Sequence, residues 1–285
     1  MDKDTFFRVK TTLNLNGRLI DLSVPQVMGI VNITPDSFFA ASRLAGGTDL
    51  INRVGKMLED GASFIDIGAY SSRPGAAEVS EEEEINRLIP AIEVLVKEFP
   101  DIILSVDTFR AKVAEKAIVA GAHIINDISG GELDKTMFET VAKLQVPYIL
   151  MHMRGTPETM SSLTNYDDLL SDIIFYFSEK INQLKALGIK DIILDPGFGF
   201  AKTIAQNYSL LKQMKTLEIL GFPILAGLSR KTMIWKTLGV TADEALNGTT
   251  VLNTLALQNG AAVLRVHDVK EAKQCIQLTQ FYQQV

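Results

Sequence analysis

The feature that most constrains the fold is a repeated alternation between short apolar, β-branched runs and longer stretches in which apolar residues recur at helical spacing. Because the short runs are apolar at nearly every position, we expect strands buried on both faces. That is typical of a parallel sheet covered by crossover helices. The predicted strands are Val27–Ile33, Phe64–Ile67, Ile102–Val106, Ile124–Ile128, Pro147–Met151, Ile192–Leu194, Pro223–Ala226 and Ala262–Val266.

An open, doubly wound sheet is the alternative architecture, but it usually has fewer strands and a Gly-x-Gly-x-x-Gly turn after its first strand. No such turn follows the first predicted strand here. Eight strand–helix units in 285 residues favour a (β/α)8 TIM barrel, with residues 1–285 forming one domain. Ahead of the barrel, Val9–Val24 with its Asn-Gly turn predicts a β-hairpin that plugs the barrel floor. The predicted helices include Asp49–Asp60, Ser80–Glu98, Ala111–Gly121 and Leu169–Leu187.

Composition and charge disfavour several classes of partner. The formal net charge is -6, and no basic block or aromatic-interleaved basic stripe occurs, which argues against nucleic acid and anionic membrane surfaces. No apolar run approaches the roughly 18 residues of a membrane-spanning helix. The single cysteine, Cys275, has no partner for an internal disulfide, and no apolar signal region follows the amino terminus. A cytoplasmic location is therefore expected.

An acidic run, Glu81–Glu84, follows Ser80 and predicts a helix start rather than a functional site. Ser80 would cap the helix, Glu83 would complete a capping box, and the acidic residues would face the positive end of the helix. His123 lies near the start of the fourth predicted strand, at the opposite end from the candidate site, and is expected to be structural.

Nearly every predicted strand ends in polar residues that a generic core would not contain. The carboxyl ends of parallel barrel strands open at one mouth, so these side chains are expected to line a single pocket. Any one of them has an ordinary explanation as a helix cap or an Asx turn, but their repetition at one end of the strands favours an active site. These residues include Asn32, Asp66, Asp107, Asn126, Asp127, His152, Asp195, Ser229, Arg230, Lys231, Arg265 and His267.

The charges in this set are segregated. The cations of Ser229–Lys231 and Arg265–His267 follow strands seven and eight, where barrels commonly bind phosphate. The carboxylates and the amide of Asp107, Asn126 and Asp195 lie across the mouth and suit a ligand rich in N–H donors. The predicted substrate has a donor-rich heterocycle at one end and phosphate at the other.

Other chemistries fit these residues less well. The histidines form neither a His-x-His pair nor a His-Glu-x-x-His motif, which disfavours a zinc hydrolase. The Gly-x-Ser-x-Gly elbow of serine hydrolases does not occur. Lys231 could form a Schiff base, but beside Ser229 and Arg230 a hydrogen-bonding or phosphate role is more economical.

These strand-end motifs, taken in order, resemble those of the dihydropteroate synthases of folate biosynthesis from about Gln26 to Asp268. Each motif alone is weak, whereas the ordered set is specific. The matching blocks are Met28–Phe38, Asp66–Gly68, Ser72–Gly75, Ser105–Thr108, Ile125–Gly130, Leu150–Met153, Leu194–Phe200, Ser229–Lys231 and Arg265–Asp268.

The resemblance implies condensation of 6-hydroxymethyl-7,8-dihydropterin diphosphate with 4-aminobenzoate, which gives 7,8-dihydropteroate and diphosphate. By the family's motifs, the pterin would be held by Asp107, Asn126, Asp195 and Lys231, with Met151 against one face and Arg265 stacked on the other. Asn32 would bind Mg²⁺ beside a diphosphate that Arg265 and His267 contact. The further substrate-binding residues implied are Thr34, Asp36, Phe38, Ser71, Ser72, Arg73, Pro74, Phe200 and Ser229.

The mechanism that follows is loss of diphosphate with positive charge delocalised into the pterin, then attack by the aromatic amine. Asp107 would serve as a preorganised countercharge. The partners implied are two small-molecule substrates and a second copy of the chain, which would form a homodimer through the last helices with the apolar stretch Ala256–Leu264.

The loop after the second predicted strand, here called the second loop, departs from the family's usual sequence Asp-Ile-Gly-Gly-Glu-Ser-Thr-Arg-Pro-Gly. Tyr70 stands in place of the acidic residue, and Ser72 stands in place of threonine. We expect activity to persist and the response to sulfonamide inhibitors to change. Two other readings stay open. A methyltetrahydrofolate–corrinoid methyltransferase would share the pterin pocket but would not need the diphosphate side, and a non-catalytic pterin-binding paralogue would be expected to have lost Asp107, Lys231 or Arg265.

Overall fold

The computed structural model describes residues 9–15, 17–33, 43–70 and 79–285, with the side chains of 43–47 excepted. In these ranges eight parallel strands form a closed barrel in chain order, and the last strand pairs with the first. The predicted TIM barrel is thereby confirmed, and each strand lies within about two residues of its predicted position. The barrel strands are β3 (Gln26–Asn32), β4 (Phe64–Gly68), β5 (Leu104–Asp107), β6 (Ile124–Asp127), β7 (Tyr148–Met151), β8 (Ile192–Asp195), β9 (Ile224–Ala226) and β10 (Ala261–Val266).

Helices on the outside of the barrel cover the outward-facing apolar residues of the strands. None of the helices in the ranges described is both long and apolar enough to cross a membrane. The helices are α1 (Arg43–Glu59), α2 (Glu81–Glu98), α3 (Ala111–Val119), α4 (Met137–Leu144), α5 (Leu169–Ala186), α6 (Ile204–Gln213), α7 (Thr232–Leu238), α8 (Leu246–Gln258) and α9 (Val269–Gln284).

An antiparallel hairpin, β1 (Thr12–Leu15) and β2 (Arg18–Asp21), precedes the barrel. Its side chains Leu13 and Leu15, with Leu22 just after it, are buried against inward-facing residues at the amino ends of the barrel strands. The hairpin therefore plugs the barrel floor, as predicted. Asp191, just before β8, accepts hydrogen bonds from Lys10 Nζ at 2.7 Å and from the Asn14 backbone at 3.0 Å, and so anchors the hairpin to the barrel.

The barrel interior is layered with the two-residue period of the strands. The lower layer is apolar and meets the hairpin: Met28, Phe64, Ile103, Ile124, Ile149, Ile193, Leu225 and Val263. Two residues further along the same strands, the inward positions become mostly polar. This second layer includes Asp66, Ser105, Asn126, Met151, Asp195 and Arg265. The upper half of the barrel interior is therefore a polar pocket.

The start of α2 differs in part from its prediction. Ser80 Oγ accepts a hydrogen bond from the Glu83 backbone N–H at 3.2 Å, which confirms the cap. The box is not completed, because the Glu83 side chain pairs with Arg87 at 2.7 Å instead. Glu84 lies in the first turn of the helix, as predicted, and its side chain is fully buried and paired with Arg110.

Candidate active site

A network of buried and partly buried charges lies at the centre of the second layer. Arg265 bridges two carboxylates, with Nε 2.6 Å from Asp66 Oδ2 and Nη2 2.7 Å from Asp107 Oδ2. The Asn126 amide donates to the same Asp66 oxygen at 3.0 Å. Four strands, β4, β5, β6 and β10, thus place one side chain each in a single hydrogen-bonded cluster. The structure thus brings the predicted site residues Asp107, Asn126 and Arg265 together.

The electrostatics of this network set the charge available to a ligand. Burial raises the pKa of Asp107 to about 7, although the charge of Arg265 opposes the shift. Burial works against the Arg265 charge, but Asp66 and Asp107 outweigh it and raise the pKa of the guanidinium. Near neutral pH the network contains one permanent cation and a carboxyl group that titrates.

A second charged pair, Asp195 and Lys231, occupies the opposite side of the mouth. Asp195 Oδ1 accepts the Gly197 backbone N–H at 2.8 Å, and the ammonium of Lys231 donates to the Phe198 carbonyl oxygen. Burial lowers the pKa of Lys231 to about 8, against the opposing charge of Asp195. Burial likewise raises the pKa of Asp195, and Lys231 opposes that shift. Each group therefore favours the charged form of the other.

An apolar wall flanks the charged groups. Met151, at the end of β7, is 2% exposed and packs with other apolar residues above the barrel strands. Phe200 packs at its edge, and the Lys231 ammonium stands 4.8 Å from the centroid of the Phe200 ring. A flat heterocycle between the carboxylates and this wall would have polar partners around its rim and apolar contacts on its face. The other buried members of the wall are Ile128, Met153, Met160 and Ala201.

The residues after β9 and β10 meet at the rim. Ser229 Oγ lies 3.0 Å from His267 Nδ1, so these two predicted site residues are brought together. The expectation that Arg230 belongs to a phosphate-binding group of cations is not supported, because its guanidinium pairs with Asp268 at the start of α9. Asn32, the last residue of β3, is exposed at the mouth.

Several residues implied by the resemblance lie outside the described residues: Thr34, Asp36, Phe38, Ser71, Ser72, Arg73 and Pro74. Tyr70, where the sequence departs from the family pattern, is described. Its ring packs edge-on against Phe109 with centroids 5.1 Å apart, and the Arg110 guanidinium stands 5.7 Å from its centroid. The aromatic ring at position 70 therefore has a defined packing site beside the mouth.

Two features of the site were missed by the sequence prediction. Asp66 appeared among the polar strand ends but was not assigned a role, yet it binds both Arg265 and Asn126. Beneath the loop after β8, the buried Lys202 ammonium lies 3.0 Å from each of His152 Nδ1, Gly197 O and Phe200 O. Lys202 thus fixes the loop whose Phe198 carbonyl binds Lys231.

Four buried side-chain polar atoms among the described residues lack a hydrogen-bond partner, and two of the four belong to residues of the second layer. These two are Asp66 Oδ1 and Ser105 Oγ, which belong to residues in register on neighbouring strands. A buried acceptor without a partner is costly, so a ligand N–H or a water is expected to satisfy it. The pocket is suited to a ligand with several N–H donors.

Comparison with known proteins gives a consistent result. The sequence profile of a family described as pterin-binding enzymes matches residues 28–267. The dihydropteroate synthase of Escherichia coli (strain K12) is 41% identical over 266 residues, which cover 93% of this chain and 94% of that protein. The match spans the barrel strands and the candidate site.

Solved structures show the same likeness. The dihydropteroate synthase of Yersinia pestis in a sulfonamide drug complex superposes with a TM-score of 0.89 at 41% identity, covering 96% of this chain and 100% of that chain. The Xanthomonas albilineans dihydropteroate synthase with 4-aminobenzoic acid gives a TM-score of 0.88 at 38% identity, covering 97% and 100%.

Proposed function

This chain belongs to the pterin-binding enzymes and has dihydropteroate synthase function, and on that premise we propose how its residues divide the work. The reaction joins 6-hydroxymethyl-7,8-dihydropterin diphosphate to 4-aminobenzoate and releases diphosphate. The observation that carries the assignment of roles is the cluster of Asp66, Asp107, Asn126 and Arg265 in the second layer of the barrel. It offers carboxylate and amide groups to the donor-rich ring.

The pterin ring would lie between this cluster and the apolar wall at Met151. Asp107, Asn126 and Asp195 would accept or donate along its rim, and Lys231 would donate to it after leaving the Phe198 carbonyl. Asp66 Oδ1 supports this placement, because it is a buried acceptor that still needs a donor. Arg265 would cover the other face of the ring and extend toward the diphosphate.

The diphosphate would lie toward the rim, near Arg265, His267 and Asn32. An amide oxygen such as that of Asn32 is a hard ligand suited to Mg²⁺. In the part of the chain that the structure describes, no group of three or more His, Cys, Asp or Glu side chains converges on a metal position. The donor set therefore fits an ion held by Asn32, water and the substrate phosphates. When bound, Mg²⁺ would neutralise charge on the leaving diphosphate.

The chemistry needs no nucleophile from the protein. As the bond between the pterin methylene and diphosphate lengthens, positive charge would spread into the ring, and the Asp107 carboxylate would stabilise it. The amine of 4-aminobenzoate would then attack the methylene and lose a proton. Arg265 and His267 would stabilise the departing anion.

The 4-aminobenzoate would bind nearer the surface, against Phe200 and Ser229. The Yersinia pestis relative, solved with a sulfonamide drug, supports the proposal that sulfonamides compete at this position. Because Tyr70 is packed against Phe109 and Arg110, it would hold the start of the second loop differently from an acidic residue. Sulfonamide affinity should therefore differ in a Tyr70→Glu variant, with dihydropteroate formation retained.

We propose that the active form is a cytoplasmic homodimer. The stretch Ala256–Leu264 is mostly buried within the subunit, so it does not supply the interface expected from the sequence. The packed pair α8 and α9 instead exposes other apolar side chains. Exposed apolar groups on adjacent helices favour self-association. They are Val251, Leu255, Leu278, Phe281 and Tyr282. Sedimentation analysis of a Leu278→Glu, Phe281→Glu variant should show monomers, and a dimer that survives would contradict this interface.

The decisive experiment measures diphosphate release by the purified chain from the dihydropterin diphosphate, with and without 4-aminobenzoate and Mg²⁺. Release that needs both additions, with dihydropteroate formed in equal amount, is the expected result. An Asp107→Asn variant is the matched control and should lower kcat about 100-fold, the usual scale for loss of one preorganised electrostatic group. Pterin binding without turnover in the unaltered chain would refute the proposed division of roles.

A further inference from the structure

Arg230 stands between two residues assigned to the site, Ser229 and Lys231, but its own side chain leaves the pocket. Its guanidinium makes two hydrogen bonds to the Asp268 carboxylate, from Nε to Oδ2 at 3.0 Å and from Nη2 to Oδ1 at 2.7 Å. A two-point contact of this kind fixes the angle between the partners as well as their distance.

The residues next to this ion pair make a second contact. Ser229 Oγ lies 3.0 Å from His267 Nδ1 and accepts the His267 backbone N–H at 3.2 Å. Two consecutive residues after β9 therefore bind two consecutive residues after β10. The contacts Ser229–His267 and Arg230–Asp268 thus join the ends of the two strands side by side.

The backbone of Arg230 is also held in an unusual conformation. Its φ is 55°, in the left-handed region that residues with a side chain rarely adopt. Its N–H donates to Thr249 Oγ1 at 3.1 Å, and that hydroxyl donates to the Ala245 carbonyl at 2.8 Å. Such a conformation persists when the surroundings over-determine it, and here the ion pair and the contact with α8 do so.

We propose that Arg230 and Asp268 are positioning residues for the condensation, because their ion pair fixes the register between two halves of the site. One half, Ser229 and Lys231, would serve the aminobenzoate and the pterin, while the other, Arg265 and His267, would serve the diphosphate. Bond formation and bond breaking take place at one methylene carbon, so the halves must stay aligned. A misplacement of about 1 Å costs roughly 100-fold in rate in comparable cases. The proposal rests on the proposed function.

A second carboxylate near Arg230, that of Asp243, provides a matched control. Arg230 Nη1 also lies 3.6 Å from Asp243 Oδ1, but the Asp243 side chain is 98% exposed, whereas that of Asp268 is 16% exposed. An exposed, longer ion pair is screened by water and contributes little. Only the Asp268 contact should matter for activity.

The test compares kcat per folded molecule in Arg230→Met, Asp268→Asn, the double variant and Asp243→Asn. Each of the first two should lose about 10- to 100-fold in kcat. The kcat of the double variant should be no lower than that of the less active single variant, because both substitutions break the same interaction. Arg230→Lys, which keeps the charge without the two-point contact, should fall between, and Asp243→Asn should match the unaltered chain.

A purely structural role gives a different pattern, in which the melting temperature and the folded fraction drop while kcat per folded molecule stays constant. That pattern would overturn the proposal, as would equal losses in Asp243→Asn and Asp268→Asn. A restored kcat in the exchanged pair, Arg230→Asp with Asp268→Arg, would support it further. If the unaltered chain forms no dihydropteroate, the proposed function fails together with this inference; if it is active and Arg230→Met is equally active, only the inference fails.

Discussion

The pH dependence of kcat/KM is expected to be bell-shaped. One group of the site must be deprotonated and another must be protonated, and both titrate close to neutrality. The countercharge role requires Asp107 to be ionised, and burial raises its pKa to about 7. Binding of the pterin by an ammonium requires Lys231 to be protonated, and burial lowers its pKa to about 8. Bell-shaped profiles of kcat/KM report such groups in the free enzyme.

The magnitude follows from these two values. With one group active above about 7 and the other below about 8, the fraction of enzyme in the active form peaks near pH 7.5 at about 60%. At pH 6 and at pH 9 the same fraction is about 9%, so kcat/KM should be about sevenfold lower at either pH than at the peak.

Variants assign the two limbs of the curve. Asp107→Asn should remove the acid limb along with most of the activity, and Lys231→Arg, which stays charged, should remove the alkaline limb. Because the Arg265 charge lowers the pKa of Asp107, Arg265→Met should move the acid limb to higher pH. The assay is diphosphate release at low substrate concentration between pH 5.5 and 9.5. A flat profile from pH 6 to 8, or an acid limb that persists in Asp107→Asn, would refute the reasoning.

Three further outcomes are expected. Lys202→Met should lower the free energy of unfolding by roughly 3 kcal/mol in urea titrations, because His152 Nδ1 and two carbonyls lose a buried donor; a loss below about 1 kcal/mol would contradict this. Leu13→Ala should cost about 3 kcal/mol by the same measurement, whereas Leu19→Ala, at a 70% exposed position of the same hairpin, should cost almost nothing. Gly197→Ala should lower the melting temperature sharply, since its Cβ would lie 2.1 Å from the His152 carbonyl oxygen and its φ is 69°.

Most of the fold could be predicted because the strands are buried on both faces. Eight nearly continuous apolar runs fix the number of strands, and their shared end fixes the position of the pocket. The role of Asp66 was also within reach, since it lies two residues after the inward-facing Phe64 and therefore points into the barrel. Counting by two along each strand would have placed it with Asn126 and Arg265.

The directions of loop side chains could not be predicted in this way. Arg230 reads as a phosphate ligand between Ser229 and Lys231, but its direction depends on a left-handed backbone and on Asp268, 38 positions later. Lys202 reads as an ordinary loop residue, because burial of an ammonium beneath carbonyl oxygens leaves no periodic pattern. Both depend on contacts between strand ends that only the folded barrel brings together.

Inward-facing and outward-facing positions alternate along each barrel strand. The apolar packing and the polar site therefore depend on the same strand register. Removing one residue from β4 would turn Asp66 toward the helices and bring Ile65 or Ile67 into the pocket. The barrel would then carry an unpaired charge among the apolar residues between its strands and helices, and Arg265 would lose one of its two carboxylate partners. A single deletion within a barrel strand is therefore expected to disrupt the fold and the activity together.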